Sequence, residues 1–174
     1  MRFKLITALF ISSGLFIFSN TFCQNQPEKT DTLALLLQKS SINNKKLFLV
    51  FGWQGCGWCR VFEKYHQDSI VNDILSKYFM IAKIDIYKTK AGADLYKKYG
   101  KEGTPSWTIF DLKGNILIDS DNGKGNIGYP AEENELEYYV QAIKKAVLTI
   151  SESECSILVA KLKDYRNRKK QNVL

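Results

Sequence analysis

The chain has 174 residues, of which 45% are apolar and 25% are charged, and its formal net charge is +7. This length suits one domain with a leader or an extension, and the composition is that of a globular protein rather than a disordered chain. The positive residues cluster most at 166–170, where the end of a helix favours them. Because the sequence has no basic stripe interleaved with aromatic residues, nucleic acid is not an expected partner.

The first 23 residues have the pattern of a secretory signal peptide. Arg2 and Lys4 precede the apolar stretch Leu5–Phe18, and polar residues follow. This stretch is shorter than the roughly 20 residues that span a bilayer. We therefore expect an exported protein, periplasmic or secreted. A lipid anchor at Cys23 is the less favoured alternative, since Phe22 stands where a lipoprotein signal takes a small residue.

After a polar leader over residues 24–30, helices and strands alternate along the first half of the chain. The predicted elements are a helix from Asp31 or Thr32 to about Asn43, a strand Leu47–Gly52, a helix after Cys59, a short helix from Asp68 or Ser69 to Tyr78, a strand Phe79–Asp85, and a helix from about Lys90 to Tyr99. Alternation of this kind predicts neighbouring parallel strands covered by helices.

The second half of the chain has a different pattern. The predicted elements are a hairpin of Ser106–Phe110 and Asn115–Asp119 turning at Gly114, a loop Ser120–Tyr129 that is expected to be mobile over Asp119–Gly125, a helix from Pro130 to Val147, and a last helix opened by the capping box Ser151–Glu154. Cys155 falls on the apolar side of the last helix, where we expect a buried small side chain. We accordingly divide the chain into one domain over residues 31–149 and a helical extension over 150–174.

Two cysteines two residues apart, Cys56 and Cys59, lie where a buried strand gives way to a helix. At a helix N-terminus, free N–H groups and the helix dipole favour a thiolate over a thiol. A cysteine so placed can have its pKa lowered from about 8.5 to roughly 3.5–7.5, which makes it a nucleophile at neutral pH. The alternative is an inert disulfide, although a ring between residues so near in sequence constrains little of the unfolded chain.

A structural zinc site is a further alternative for the same pair. Zinc needs four ligands, and such a site would require both cysteines together with Cys155 and His66, the only histidine. We therefore expect neither a metal nor an organic cofactor. We interpret His66 as a surface residue at the end of a helix.

Several segments together resemble the thioredoxin superfamily in order and spacing. They are Leu47–Cys59, Lys83–Asp85, Tyr99–Ser106 with the pattern Y-G-x-x-G-x-P, Phe110 and Gly114. The most similar type is an exported thioredoxin-like thiol:disulfide oxidoreductase with a C-G-W-C active site. This resemblance implies an α/β thioredoxin fold, with a central mixed sheet flanked by helices and an extra C-terminal helix.

The resemblance also implies roles for individual residues. Cys56 is the attacking thiol and Cys59 the resolving one, while Pro105 is the cis-proline that faces them. Thr104 would offer a short strand edge to a substrate peptide, and Trp58 would be an exposed substrate contact. The implied partners are protein thiols or disulfides and a membrane-bound electron donor, and the chain is expected to be a monomer.

The sequence departs from the thioredoxin pattern near the cysteines. Gly55 stands where a tryptophan is usual, and Val50 stands where many thioredoxins bury an acidic residue. Gly57 is followed by tryptophan rather than proline. Lys83 matches a buried lysine of the family, and without the acid we expect it to be the only charged group that modulates the resolving cysteine. The three tryptophans Trp53, Trp58 and Trp107 are candidates for an apolar rim, and Trp107 is equally a candidate for the core.

The favoured function is reduction of protein disulfides by dithiol exchange through Cys56 and Cys59. One alternative is a non-catalytic binding or chaperone-like module with a permanently closed disulfide. Another is a dedicated factor for cytochrome or copper-protein maturation.

Overall fold

A computed structural model of the protein describes residues 31–171. The predicted signal peptide, the polar leader and Cys23 lie outside these residues. In chain order the elements are α1 (Thr32–Ile42), β1 (Lys46–Gly52), α2 (Gly57–Gln67), α3 (Ser69–Leu75), β2 (Phe79–Asp85), α4 (Lys90–Tyr99), β3 (Ser106–Phe110), β4 (Ile116–Asp119), α5 (Glu133–Ala146) and α6 (Glu152–Lys170). No helix within 31–171 is both long enough and apolar enough to cross a membrane.

The four strands form one mixed sheet in the order β2-β1-β3-β4. β1 pairs in parallel with β2 and antiparallel with β3, and β4 adds to β3 as an antiparallel hairpin. The helices between β1 and β2 supply the crossover that a parallel pair requires. The alternation of the first half and the hairpin of the second half, both predicted from sequence, are therefore confirmed.

β1 is paired on both sides and buried on both faces. Phe48 and Val50 face one helical layer, while Leu47, Leu49 and Phe51 face the other. All five side chains are at most 7% exposed. This burial explains the continuous apolar run, because a strand covered on both faces has no solvent-exposed side to carry polar residues.

The two faces of the sheet carry layers of unequal size. The smaller core lies under α1 and α4, with Leu33 and Leu95 as its helical residues. The larger core lies under α2, α3, α5 and α6, and its largest fully buried side chains are aromatic. Its centre contains Phe62, Tyr65 and Tyr139, whose rings pack edge-to-face or stacked.

The C-terminal helix α6 belongs to this larger core. Leu158 and Leu162 are at most 1% exposed, and Cys155 is buried beside them as predicted. Asp68, the N-cap of α3, connects three helices: its carboxylate accepts hydrogen bonds from Lys161 Nζ at 2.8 Å and Tyr165 Oη at 3.3 Å. The extension is thus tied to the α2–α3 corner by apolar packing and by a partly buried ion pair.

The start of α5 differs from the prediction. The sequence pattern placed it at Pro130, whereas the helix begins at Glu133 with Glu132 as its N-cap. The reason is a capping box: the Glu135 carboxylate accepts hydrogen bonds from the backbone N–H groups of Ala131 and Glu132. Because a side chain satisfies these two N–H groups, Ala131 and Glu132 remain outside the helix.

Candidate active site

The cysteine pair lies at the junction between β1 and α2. Cys56 is the N-cap of α2 and forms a disulfide with Cys59, with an S–S distance of 2.10 Å. The backbone N–H of Cys59 donates a hydrogen bond to Cys56 Sγ over 3.1 Å. In the reduced protein, this donor and the positive end of α2 would stabilise a negative charge on Cys56.

The loop before β3 faces the disulfide. The Thr104–Pro105 peptide bond is cis, and the carbonyl oxygen of Thr104 lies 3.4 Å from Cys56 Sγ. The hydroxyl of Tyr96 donates to the carbonyl oxygen of Gly103 over 3.0 Å and so restrains this loop from the side of α4. The structure therefore brings Cys56, Thr104 and Pro105 to one place, as the resemblance implied.

Trp58 stacks on an aromatic ring that the sequence analysis did not single out. Its ring and that of Tyr129 are 5.1 Å apart, with an angle of 23° between their planes. Together with Thr104, Pro105 and Asn126 they line a surface cleft, which we call the front groove. The front groove thus places an aromatic platform next to the cysteines.

The second half of the loop Ser120–Tyr129, beyond the part predicted to be mobile, supports the front groove. Asn126 Nδ2 donates hydrogen bonds to the carbonyl oxygens of Gly103 and Pro105, at 3.3 and 3.0 Å. Gly128 has a φ of +56°, and a Cβ there would lie 2.9 Å from the Pro105 carbonyl oxygen. A side chain would be strained by this backbone and would also collide with the proline loop. The second half of the loop therefore packs against the loop that contains Pro105.

The absence of a tryptophan directly before Cys56 has a local explanation. A Cβ on Gly55 would lie 1.9 Å from the Trp53 ring, so this ring already covers Gly55. Trp53 is 37% exposed and packs edge-to-face against Tyr87, with 5.5 Å between ring centroids. A tryptophan from two positions earlier therefore occupies the space beside the disulfide turn.

Behind the disulfide lies a cavity of about 400 Å³ between α2, α3 and β2. We call it the back cavity. Its wall near the disulfide includes Cys59, Gly52 and Val50, and it also includes the ion pair between Lys83 Nζ and the Glu63 carboxylate. A Cβ on Gly52 would lie 3.0 Å from Cys59 Sγ, so only a residue without a side chain leaves the resolving sulfur this space.

Lys83 differs from the expectation in two respects. It lies opposite Val50 in the β1–β2 register, where the resemblance placed it, but 37% of its side chain is exposed. Lys83 is also not the only charged group near Cys59. Glu63 lies one helical turn beyond that cysteine and forms an ion pair with Lys83. β2 is an edge strand, which leaves Lys83 at the mouth of the back cavity rather than beneath neighbouring chain. The i+4 spacing from Cys59 was a signal for Glu63 that the sequence analysis did not use.

His66 also lines the back cavity, and it is only partly exposed at the end of α2. Its ring packs against Phe62 at 4.3 Å and against Phe48 at 5.5 Å. Its Nε2 atom is buried without a hydrogen-bond partner among the described residues. Burial of the ring lowers the His66 pKa from 6.5 to about 3, so the imidazole is neutral at physiological pH.

Two other residues considered from sequence lie away from the disulfide surface. Trp107 is fully buried and donates from Nε1 to the carbonyl oxygen of Gly128, so it belongs to the core rather than to an exposed rim. Cys155 is free, and burial raises the pKa of its thiol. Among residues 31–171, no group of three or more His, Cys, Asp or Glu side chains is arranged to hold a metal ion.

No family model matches the chain. Among curated proteins, the "Uncharacterized protein B0495.5" of Caenorhabditis elegans is 27% identical over an alignment of 104 residues, and the match covers 53% of this chain. The match spans only 14% of the length of that relative.

Three solved structures align with most of the chain. The disulphide isomerase from Xylella fastidiosa Temecula1 has a TM-score of 0.49 at 18% identity, over 79% of this chain and 93% of that one. A thioredoxin-fold protein from Helicobacter pylori has a TM-score of 0.45 at 21% identity, over 74% and 86%. A DsbH oxidoreductase has a TM-score of 0.46 at 20% identity, over 67% and 82%.

The fold itself is read from the strand order and the place of the cysteines. A central strand pairs in parallel with one neighbour and antiparallel with the other, and helices cover both faces. The disulfide closes at the first turn of the helix that follows this strand. The chain has the thioredoxin fold, with α6 added to its larger core.

Proposed function

We propose that the protein is a thiol:disulfide oxidoreductase that reduces disulfides in other proteins through Cys56 and Cys59. The observation that carries this proposal is the position of Cys56. It is the N-cap of α2, receives a hydrogen bond from the Cys59 N–H, and lies 3.4 Å from the Thr104 carbonyl oxygen on the open side of the site. This environment favours a thiolate and leaves its sulfur next to a surface where a substrate can dock.

The reaction proceeds by two thiol–disulfide exchanges. The Cys56 thiolate attacks one sulfur of a substrate disulfide, the substrate S–S bond breaks, and one substrate thiolate leaves. The Cys59 thiolate then attacks Cys56 Sγ in the mixed disulfide, which releases the second substrate thiolate and forms the Cys56–Cys59 bond. The substrate gains two electrons, and the protein loses two.

Substrate docking belongs to the front groove in this proposal. An extended peptide would lie along the backbone of Thr104 by strand addition, with its apolar side chains against the partly exposed Trp58 ring, which stacks on the buried Tyr129. Pro105 lacks an N–H group, so the hydrogen-bonding edge of this loop ends at Thr104. Such docking uses mainly main-chain contacts and therefore suits more than one client protein.

The ion pair in the back cavity has a role in the second exchange. Cys59 must lose a proton to attack, and Val50 supplies no acid beneath it. Glu63 lines the same cavity and is held by Lys83, so its carboxylate can accept that proton, directly or through water. Lys83 modulates Cys59 by fixing Glu63 rather than by acting alone.

The compartment and the electron source complete the proposal. The signal-peptide pattern of the first 23 residues supports export, where disulfides form and reductases need electrons from elsewhere. After each cycle the Cys56–Cys59 disulfide must be reduced again by a thiol donor, for which we propose a membrane-bound protein.

A trapping experiment tests the proposed function. In the Cys59→Ser variant the second exchange cannot occur, so substrates should accumulate as mixed disulfides on Cys56. We expect these adducts on non-reducing gels, released by dithiothreitol, together with loss of insulin-disulfide reduction. The double variant Cys56→Ser/Cys59→Ser is the matched control and should trap nothing.

The result that would overturn the proposal is a Cys59→Ser protein that traps no partner while the wild type reduces no model disulfide. A permanently closed disulfide in a binding module would behave in that way. Trapping of one dedicated client instead of several would favour the maturation role over general reduction.

A further inference from the structure

Three positive side chains lie along one side of α2. Arg60 and Lys64 come from α2 itself, and Lys169 comes from the last turn of α6, 105 residues beyond Lys64 in the chain. These three residues, with Gly57 and Val61, line one small cleft, which we call the cationic cleft. A Cβ on Gly57 would lie 3.5 Å from Lys169 Nζ, so the ammonium group stands directly beside the residue that follows Cys56.

A negative charge at the start of α2 would be stabilised by Lys169 and by the helix itself. The N-terminus of a helix is already positive, and acidic residues are the side chains that stabilise it. The first turn of α2 contains no acidic residue. Among the described residues, neither Lys64 nor Lys169 forms an ion pair with a carboxylate.

Lys169 differs from its neighbours at the end of α6. All three basic residues of the last turn complement the dipole of α6. Arg168 pairs with Asp164 within the helix, and Lys170 is exposed. Lys169 is partly buried and turned toward α2, so complementing its own helix does not account for its position.

The rest of α6 holds Lys169 in this position. Leu162 is fully buried, and its carbonyl oxygen accepts a hydrogen bond from the Tyr129 hydroxyl. Arg166 donates to the carbonyl oxygen of Ala131, and Tyr165 packs edge-to-face on Tyr65 of α2. The end of the extension is thereby fixed against the helix that carries the cysteines.

We propose that Lys169 is a positioning residue of the redox site: α6 delivers its ammonium group to the start of α2, where it stabilises the Cys56 thiolate. This inference rests on the proposed function. It gives the C-terminal extension a role in the chemistry, because among the described residues that line the cationic cleft, Arg60 and Lys64 are the positive side chains of the thioredoxin-like part. The carboxyl groups on the far side of Trp58, at Glu102, Glu132 and Glu135, act in the opposite direction.

The test compares Lys169→Gln with Lys170→Gln, which removes the same charge from the next residue of the same helix end. In the reduced full-length protein, the rate of Cys56 alkylation by iodoacetamide is measured by peptide mass spectrometry from pH 4 to pH 9. We expect Lys169→Gln to raise the pH of half-maximal reaction by about 0.5 unit or more, which is roughly a threefold slower reaction at pH values well below that midpoint, since an opposite charge nearby favours the ionised form. Lys170→Gln should leave the profile unchanged.

Two readouts separate this charge effect from a structural one. Lys169→Arg should restore the wild-type profile, and the difference between Lys169→Gln and wild type should shrink between 0.01 and 1 M salt, because the screening length falls from about 30 to 3 Å. If Cys56 of the wild type reacts at acidic pH and the Lys169→Gln variant has the same alkylation profile, this inference is overturned and the proposed function is not. A wild-type Cys56 that reacts like free cysteine would instead overturn the proposed function.

Discussion

The two cysteines of one disulfide lie in different surroundings. Cys56 stands at the positive start of α2, next to the open front groove, with Lys169 close to the adjacent glycine. Cys59 stands on the inner side of the turn, 4% exposed, at the end of the back cavity. The charges near Cys59 are the ion pair of Glu63 with Lys83 at the mouth of the back cavity, rather than unpaired cations.

This contrast assigns the two steps of the exchange to two environments. A sulfur that attacks first must be ionised, which the helix N-terminus and the cationic cleft favour, and Cys56 at 8% exposure borders the front groove. A sulfur that resolves the intermediate needs protection from outside thiols and a group to take its proton. The same S–S bond therefore joins a sulfur whose surroundings favour ionisation to a sulfur whose surroundings protect it from outside thiols.

The largest expected effect is the contribution of His66, in the wall of the back cavity, to the pH dependence of the free energy of unfolding. Its pKa is about 3 in the folded protein and 6.5 when exposed, so the unfolded chain binds its proton first as the pH falls. The stabilisation from neutral His66 is complete above pH 6.5 and is lost on the way to pH 3. Between pH 6.5 and 4.5 we expect this group to lower the free energy of unfolding by about 2 kcal/mol, which His66→Phe should abolish.

Urea unfolding at a series of pH values checks this prediction. Burial of the ring and the Phe62 and Phe48 contacts should be kept by phenylalanine, so the variant isolates the titration. Glu154, whose pKa is about 2 mainly because of its hydrogen bond from Lys77, adds its own acid dependence below pH 4.5 in both proteins. Equal pH slopes for the two proteins above pH 4.5 would mean that the back cavity is open to water.

A smaller effect is expected from Glu63→Gln, which tests whether the Glu63–Lys83 ion pair serves Cys59. The variant keeps the shape of the side chain but cannot accept the Cys59 proton. We expect release of the second substrate thiol to slow on the order of tenfold at pH 7, at the low end of general-base contributions. Quenched-flow measurement of the mixed disulfide gives this rate, and the defect should disappear near pH 9, where Cys59 ionises without help.

Glu133→Gln provides the matched control for that variant. Glu133 also forms an exposed ion pair, with Lys163, but at the start of α5. It should leave both exchanges unchanged. If the Glu63→Gln protein resolves the mixed disulfide as fast as this control at pH 7, Glu63 does not accept the Cys59 proton.

The sequence was most informative where local patterns decide the structure. The buried strand before the cysteines, the hairpin at Gly114 and the capping box of α6 each depend on neighbouring residues, and all are present. The order of these elements along the chain then restricted the topology to a mixed sheet with helices on both faces.

The remaining features depend on contacts between distant parts of the chain. The Trp53 ring over Gly55, the Tyr129 ring under Trp58 and the Lys169 ammonium beside Gly57 each require the folded backbone before the two partners meet. The exposure of Lys83 follows from β2 being an edge strand, which no pattern within that strand reveals. Periodicity predicts which face of an element is buried, but it does not predict which partner covers that face.

The most direct test of the account is the pH dependence of the two thiols in the reduced wild-type protein. Pulse alkylation followed by peptide mass spectrometry gives a separate profile for Cys56 and Cys59. We predict that Cys56 reaches half of its maximal reactivity below about pH 7.5, while Cys59 does so only above the ordinary cysteine pKa of about 8.5. Two coincident profiles, both near pH 8.5, would contradict the division of roles between the two cysteines.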